Sequence, residues 1–188
     1  MEENLEGIQR PVYRNLRIIW QLLLIGSVLS FFDNILVTVA SIVLLIVRIV
    51  QVRALADVSD GMARAYRVLI IGLALTVGCS LLGLLSLGSI LSVIFVLAAL
   101  AGAIVLIVAD YYFYFGLDDL AALRGYAYPQ GRIKRCFWLS LIGGVVVGTA
   151  EQNGAAWFAE ACNIVIMVVT LVLFWQYLEA VKQAEQNA

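Results

Sequence analysis

The chain contains no histidine. That removes the commonest general base, the commonest metal ligand and any haem axial histidine. Proline is nearly absent as well, and its two copies, Pro11 and Pro129, stand outside the long apolar runs. No proline-broken helix of the kind that cradles ions in transporters is therefore expected at membrane depth. The three cysteines, Cys79, Cys136 and Cys162, are far apart and form no Cys-x-x-Cys. Zinc, iron–sulfur and thioredoxin-type sites thus lack ligands, and the thiols read as small buried hydrophobes. Charged residues make up only 13%, against about 25% in a soluble domain. A net charge of −1 gives no electrostatic footprint for nucleic acid. No metal, no cofactor and no nucleic-acid partner is expected.

What the chain has instead is apolar length. Hydrophobic residues reach 63% and the mean hydropathy is +0.99, which is bilayer composition. Six stretches can each span a hydrocarbon core that takes roughly 20 helical residues, some by borrowing their flanks. They run near Leu16–Phe32, Ile35–Val52, Val68–Leu85, Ser89–Tyr111, Cys136–Ala150 and Ala156–Tyr177. Asp33-Asn34, the Ser86-Leu87-Gly88 region and Glu151-Gln152-Asn153-Gly154 are short turns, the last with an Asn-Gly signal. Connections this short make each helix pair antiparallel. The start, Met1-Glu2-Glu3-Asn4-Leu5-Glu6, is acidic where a secretory signal needs positive charge, so the first apolar run is expected to stay as an anchor. With six spans and the N-terminus inside, all 12 Lys and Arg residues fall on the cytoplasmic side. By the positive-inside rule both termini are cytoplasmic, in a multi-pass protein of the cell inner membrane whose first partner is the lipid bilayer.

An internal repeat organises these spans. Arg14-x-x-Arg17, Arg64-x-x-Arg67 and Arg132-x-x-Arg135 each precede an apolar segment, a turn and a second apolar segment ending in charge. Trp20 and Trp138 follow Arg17 and Arg135 at the same distance. The expected fold is an all-α integral membrane protein of six transmembrane helices, arranged as three parallel helical hairpins in one domain over 1–188. The repeats run at about 14–60, 64–122 and 132–182. The plan resembles that of mitochondrial carriers, but this chain is much shorter and lacks their Pro-x-(Asp/Glu)-x-x-(Lys/Arg) motif. Gly144-x-x-x-Gly148 and Ala98-x-x-x-Gly102 are spaced for close helix packing.

Few residues are placed to carry chemistry. Asp60-Gly61-Met62-Ala63-Arg64 falls one residue short of the Asp-Gly-x-x-Ala-Arg opening of CDP-alcohol phosphotransferases, and no acid stands between Arg67 and Ala109 to complete a metal centre. The segment reads as a turn and a helix start. Asp118-Asp119 reads as a solvated helix face. At membrane depth, overlaying the hairpin exits puts Arg48, Asp110 and Thr170 at one level. Arg48 and Asp110 there form a candidate ion pair, and Thr170 is the uncharged third member. Gln21 and Asn163 complete the substrate or gating candidates. Arg64, Arg67, Tyr111, Tyr112, Arg132 and Arg135 are candidates for contact with lipid or a cytoplasmic partner. With no histidine, no paired-acid motif and no nucleophile–base couple, an enzyme is not expected. The expected function is a non-enzymatic membrane component acting through a protein partner, as a subunit of a transport, envelope or defence system. The alternative is a small permease or channel passing a solute through the three-hairpin bundle.

Overall fold

The computed structural model describes residues 12–29, 35–86 and 89–187, without the side chains of 35–39 and 41. The outer turn at Asp33-Asn34, Arg10 and the acidic N-terminus lie outside the described residues, as does the side chain of Thr38. Six α-helices follow one another: α1 (Tyr13–Leu29), α2 (Ile35–Ala56), α3 (Asp60–Leu85), α4 (Ile90–Arg124), α5 (Lys134–Gln152) and α6 (Ala156–Asn187). No strand occurs among the described residues. By length and composition α3, α4 and α6 can cross a membrane, so three of the expected six spans stand on that measure. The others are shorter, at 17, 22 and 19 residues. The 35 residues of α4 rise about 52 Å, well beyond a ~30 Å hydrocarbon layer.

Local chemistry sets the helix ends. Ser59 is extended (φ −156°) and its hydroxyl accepts the Met62 N–H at 3.3 Å, capping α3. Asp60 stands in the first turn, where the helix dipole favours an acid. The Asp60–Arg64 segment is therefore a helix start, as its sequence reads. Gly125 ends α4 in the left-handed region (φ 64°), and Gly154 (φ 74°) makes the bend between α5 and α6.

α3 packs antiparallel on α4, and α5 on α6. Along α3 and α4, Gly61 meets Gly116, Gly72 meets Leu106, Thr76 meets Gly102 and Gly83 meets Phe95, one helix rising as the other falls. This is the most extensive helix contact in the molecule. A Cβ on Gly61 would stand 2.9 Å from Gly116 Cα, and one on Gly102 would stand 2.7 Å from the Thr76 nitrogen, so both positions require glycine. In α5 and α6, Gly143 sits under Ile166, and the Cys136 thiol lies 3.9 Å from the Thr170 carbonyl. α1 packs against α6, where Trp20 Nε1 donates to the Leu171 carbonyl at 3.0 Å and the Trp20 and Trp175 rings lie 5.0 Å apart. Glu185 near the end of α6 accepts the Val12 and Tyr13 N–H groups at 2.6 and 3.1 Å. The last helix thus caps the first.

The core lies at one end. Leu16 and Ile19, Val52 and Leu55, Met62 and Leu69, Phe113 and Leu117, Ile133 and Cys136, and Phe174 and Tyr177 are buried where the basic residues gather. Toward the other end the apolar side chains of α3 and α4 are mostly exposed, Leu85 at 85% and Ile90 at 82%. Exposed aliphatic surface on helices of this length marks a lipid environment.

Two expectations need correction. Asp118 does not lie on a solvated face: it is 2% exposed, its Oδ2 lies 2.9 Å from Lys134 Nζ, and its Oδ1 accepts the Gly131 N–H at 2.7 Å. The loop before α5 folds back over α4, a long-range event the local pattern of two acids does not encode. Among the described residues the Gly144-x-x-x-Gly148 face meets no helix, since nothing there lies within 4 Å of a Cβ built at either glycine. Gly143, one step round the helix, makes the close approach to α6 instead.

Candidate functional site

Above the buried end, α1, α2, α5 and α6 stand apart around a partly open cavity of about 560 Å³. Its walls are mostly aliphatic, from Leu22, Leu44, Val147 and Ile166 among others, and Gly26 and Gly144 widen it by lacking side chains. Six polar side chains interrupt the walls: Ser27, Arg48, Tyr114, Ser140, Asn163 and Thr170. Thr170 and Asn163 both face the cavity from α6 and are two turns apart, about 10 Å along the axis. Arg48, Tyr114 and Thr170 form the floor. Beneath them the buried Leu16, Leu117, Phe174 and Tyr177 fill the bundle. Tyr177 locks this layer by donating to the Leu117 carbonyl at 2.7 Å.

Among the described residues Arg48 is the one ionised side chain on the lining, and its placement follows from α2. An arginine among Leu, Ile and Val must find a counter-charge or reach the membrane surface. Here its Nη2 meets Asp110 Oδ1 of α4 at 2.5 Å. Its guanidinium carbon also lies 6.0 Å from the centre of the Phe113 ring. Asp110 itself does not line the cavity; it sits on the far side of Arg48, with a 44% exposed side chain. Two donors on the floor stay without a protein partner although their atoms are buried: Arg48 Nε and Thr170 Oγ1. Thr76 Oγ1 and Gln176 Oε1, which do not line the cavity, are buried and unpartnered as well.

The structure thus pairs Arg48 with Asp110 and puts Arg48, Thr170 and Asn163 on the lining of one cavity. Gln21 is different: it is exposed on α1 and absent from the lining, because the helix turn that aims Ile19, Leu22 and Leu23 inward aims it outward. Tyr114 and Ser140 are lining residues that the sequence reading passed over. Tyr114, in the aromatic run Tyr111–Phe115, is 6% exposed. Four helical positions separate it from Asp110, so the two share a face.

The remaining candidates do not converge. Arg64 and Arg67 are exposed on α3, where Arg67 Nε donates to the Ala63 carbonyl at 3.4 Å. Tyr111 packs on Phe115 and Phe137, with centroids 4.0 and 5.5 Å away, and Tyr112 edges against Tyr111 at 5.5 Å, so this cluster joins α4 to α5. Arg132 is half-buried in the loop before α5. Arg135 is exposed beside Trp138 at one end of an apolar groove of about 750 Å³ between α5 and α6, floored by residues such as Ile142 and Val165. Trp20 and Trp138, matched in the expected repeat, have different surroundings: one is hydrogen-bonded inside the α1–α6 contact, the other is 49% exposed.

Comparison with known proteins adds no assignment: no family model, no curated protein and no solved structure matches this chain.

Proposed function

We propose that the chain is a non-enzymatic multi-pass membrane protein that admits a small solute to the cavity above Arg48, as a small permease does. In this reading six helices cross the inner membrane as three parallel hairpins with both termini cytoplasmic, and the buried basic end is the cytoplasmic end. One observation carries it: a largely apolar cavity is lined by a single arginine, Arg48, among a few polar side chains of the described residues. Ligand sites have this composition, apolar walls with a few convergent polar groups, and this range of volume. An ionisable residue inside a membrane span is a functional candidate by default. The Arg48–Asp110 pair and the aromatic layer below it would close the cytoplasmic end. Release then requires that layer to part, which makes the pair a gate as well as a contact.

The test uses full-length protein in vesicles and light scattering to follow osmotic swelling in a panel of small solutes. Gly144→Leu is the control, because its side chain enters open cavity without meeting a neighbour. Swelling above that of protein-free vesicles for some solute, abolished by Gly144→Leu, supports the reading; a rate equal to protein-free vesicles for every solute counts against it.

The partner-dependent reading has an observation of its own in the groove between α5 and α6, whose apolar floor and terminal Arg135 suit a neighbouring membrane helix. A stoichiometric protein recovered with the tagged chain from native membranes, and lost when Ile142 and Val165 are replaced by Trp, would favour it.

A further inference from the structure

We infer that the groove between α5 and α6 holds one anionic phospholipid, its phosphate at Arg135 and Trp138 and an acyl chain along Ile142 and Val165. The site is separate from the cavity. Gly144 lines the cavity and Val146 the groove, and two helical steps, about 200° round α5, put them on opposite faces. The inference therefore stands or falls apart from permeation.

The charges set the head group. From Leu120 to Ala150 the chain carries Arg124, Arg132, Lys134 and Arg135 and no acid. Asp118 pairs with Lys134 at 2.9 Å. Among the described residues no carboxylate comes within ion-pair distance of Arg135, which is exposed at one end of the groove. Trp138 follows one turn along α5 on the same face and is 49% exposed. Its indole N–H meets no acceptor among the described residues, whereas that of Trp20 donates to the Leu171 carbonyl. A guanidinium beside an indole N–H suits phosphate and ester oxygens, and tryptophan settles at the head-group level of a bilayer.

The walls set the tail. Beyond Trp138 the lining has no charged, hydroxyl or amide side chain. From Arg135 to Val146 the groove runs about 16 Å along α5, close to one leaflet of a ~30 Å hydrocarbon layer. It stops about 9 Å short of Gln152, where α5 ends. A neighbouring membrane helix would call for a groove along the whole of α5. An acyl chain ends near the bilayer midplane, as this groove does.

The experiment titrates full-length protein in a non-ionic detergent with dioleoyl phosphatidylglycerol or dioleoyl phosphatidylcholine, and counts bound lipid on the intact complex by mass spectrometry. One phosphatidylglycerol is expected to bind saturably, about tenfold more tightly than phosphatidylcholine, whose choline offsets the phosphate. Arg135→Gln should erase that preference. Arg135→Lys should keep most of it, because lysine holds phosphate as a point charge. Arg67→Gln removes an exposed charge on α3, off the groove, and should change nothing. Ile142→Trp with Val165→Trp fills the groove at two exposed positions and should abolish binding of both lipids. The head group without chains, sn-glycerol 3-phosphate, should not compete. Equal binding of the two lipids, or a preference lowered as much by Arg67→Gln as by Arg135→Gln, would overturn the site. Competition by glycerol 3-phosphate would overturn it in favour of a free phosphate. A protein in place of the lipid on the complex drawn from native membranes, lost in the double Trp variant, would overturn it in favour of a helix.

Discussion

The buried ion pair between Asp118 and Lys134 offers a test of how the buried end of the bundle is held, because its two partners are unequally exposed. Asp118 is 2% exposed, and both its oxygens are used, by Lys134 Nζ at 2.9 Å and by the Gly131 N–H at 2.7 Å. The Lys134 side chain keeps 29% exposure, and its ammonium lies 4.8 Å from the centre of the Phe115 ring. Lys134→Met therefore strands a buried carboxylate with one N–H for company, at a cost of about 3–5 kcal/mol. Asp118→Asn keeps an acceptor for Gly131 and leaves an ammonium that water still reaches, so its cost is about 1–2 kcal/mol. The double variant strands no charge and should be more stable than Lys134→Met alone. In a chain of this length each ~1 kcal/mol moves the melting temperature about 2–4 °C, which gives losses of about 6–20 °C and about 2–8 °C for the two single variants. Thermal unfolding in a mild non-ionic detergent reads all four proteins. Asp118→Asn melting as low as Lys134→Met, or a double variant whose loss equals the sum of the two, would refute the reasoning.

Other consequences are as direct. Gly102→Ala drives a methyl into the Thr76 backbone and should cost about 1–3 kcal/mol, whereas Gly144→Ala meets nothing and should be neutral or gain about 0.5–1 kcal/mol of helix propensity; melting temperatures distinguish the two. Glu185→Ala removes the acceptor for the Val12 and Tyr13 N–H groups, so about 0.5–2 kcal/mol should be lost, with earlier proteolysis at the N-terminal end of α1. Burial pushes the Tyr128 phenol up to about 12. An unfolded chain releases that proton near pH ~10, so the stability this group carries is complete below about pH 10 and is lost as the pH rises toward the folded value. The alkaline fall in melting temperature should therefore be smaller in Tyr128→Phe.

Depth along a helix was readable from the sequence; direction around it was less so. Overlaying the expected hairpin exits matched Arg48, Asp110 and Thr170; the structure joins the first two at 2.5 Å, and Thr170 shares a cavity lining with Arg48. Height depends only on counting residues from a shared landmark, which the charged exits supply. Gln21 was assigned by height alone, and one step of about 100° turns it out of the cavity. The glycine spacings show the same division. Gly102 finds a backbone to approach, but Gly144 and Gly148 find open space, since spacing identifies a thin helix face and not the neighbour that meets it. Asp118 escaped because its partner arrives from a loop that ends at Lys134. Nothing local to two adjacent acids records that return. Ser59, Asp60 and Gly154 are the opposite case, where cap and turn chemistry is complete within four residues and the sequence suffices.

The central claim is that the cavity above Arg48 is a solute site reached from the outer face of the membrane. The most direct measurement replaces Cys79, Cys136 and Cys162 by alanine, introduces Gly144→Cys, and exposes intact cells to a membrane-impermeant thiol reagent. A cysteine at position 151 in the same background marks the outer surface, and one at position 182 marks the inside. The account predicts labelling at 144 and 151 but not at 182. Labelling at 151 with none at 144 would mean that no water reaches the cavity, and the solute-site account would fail.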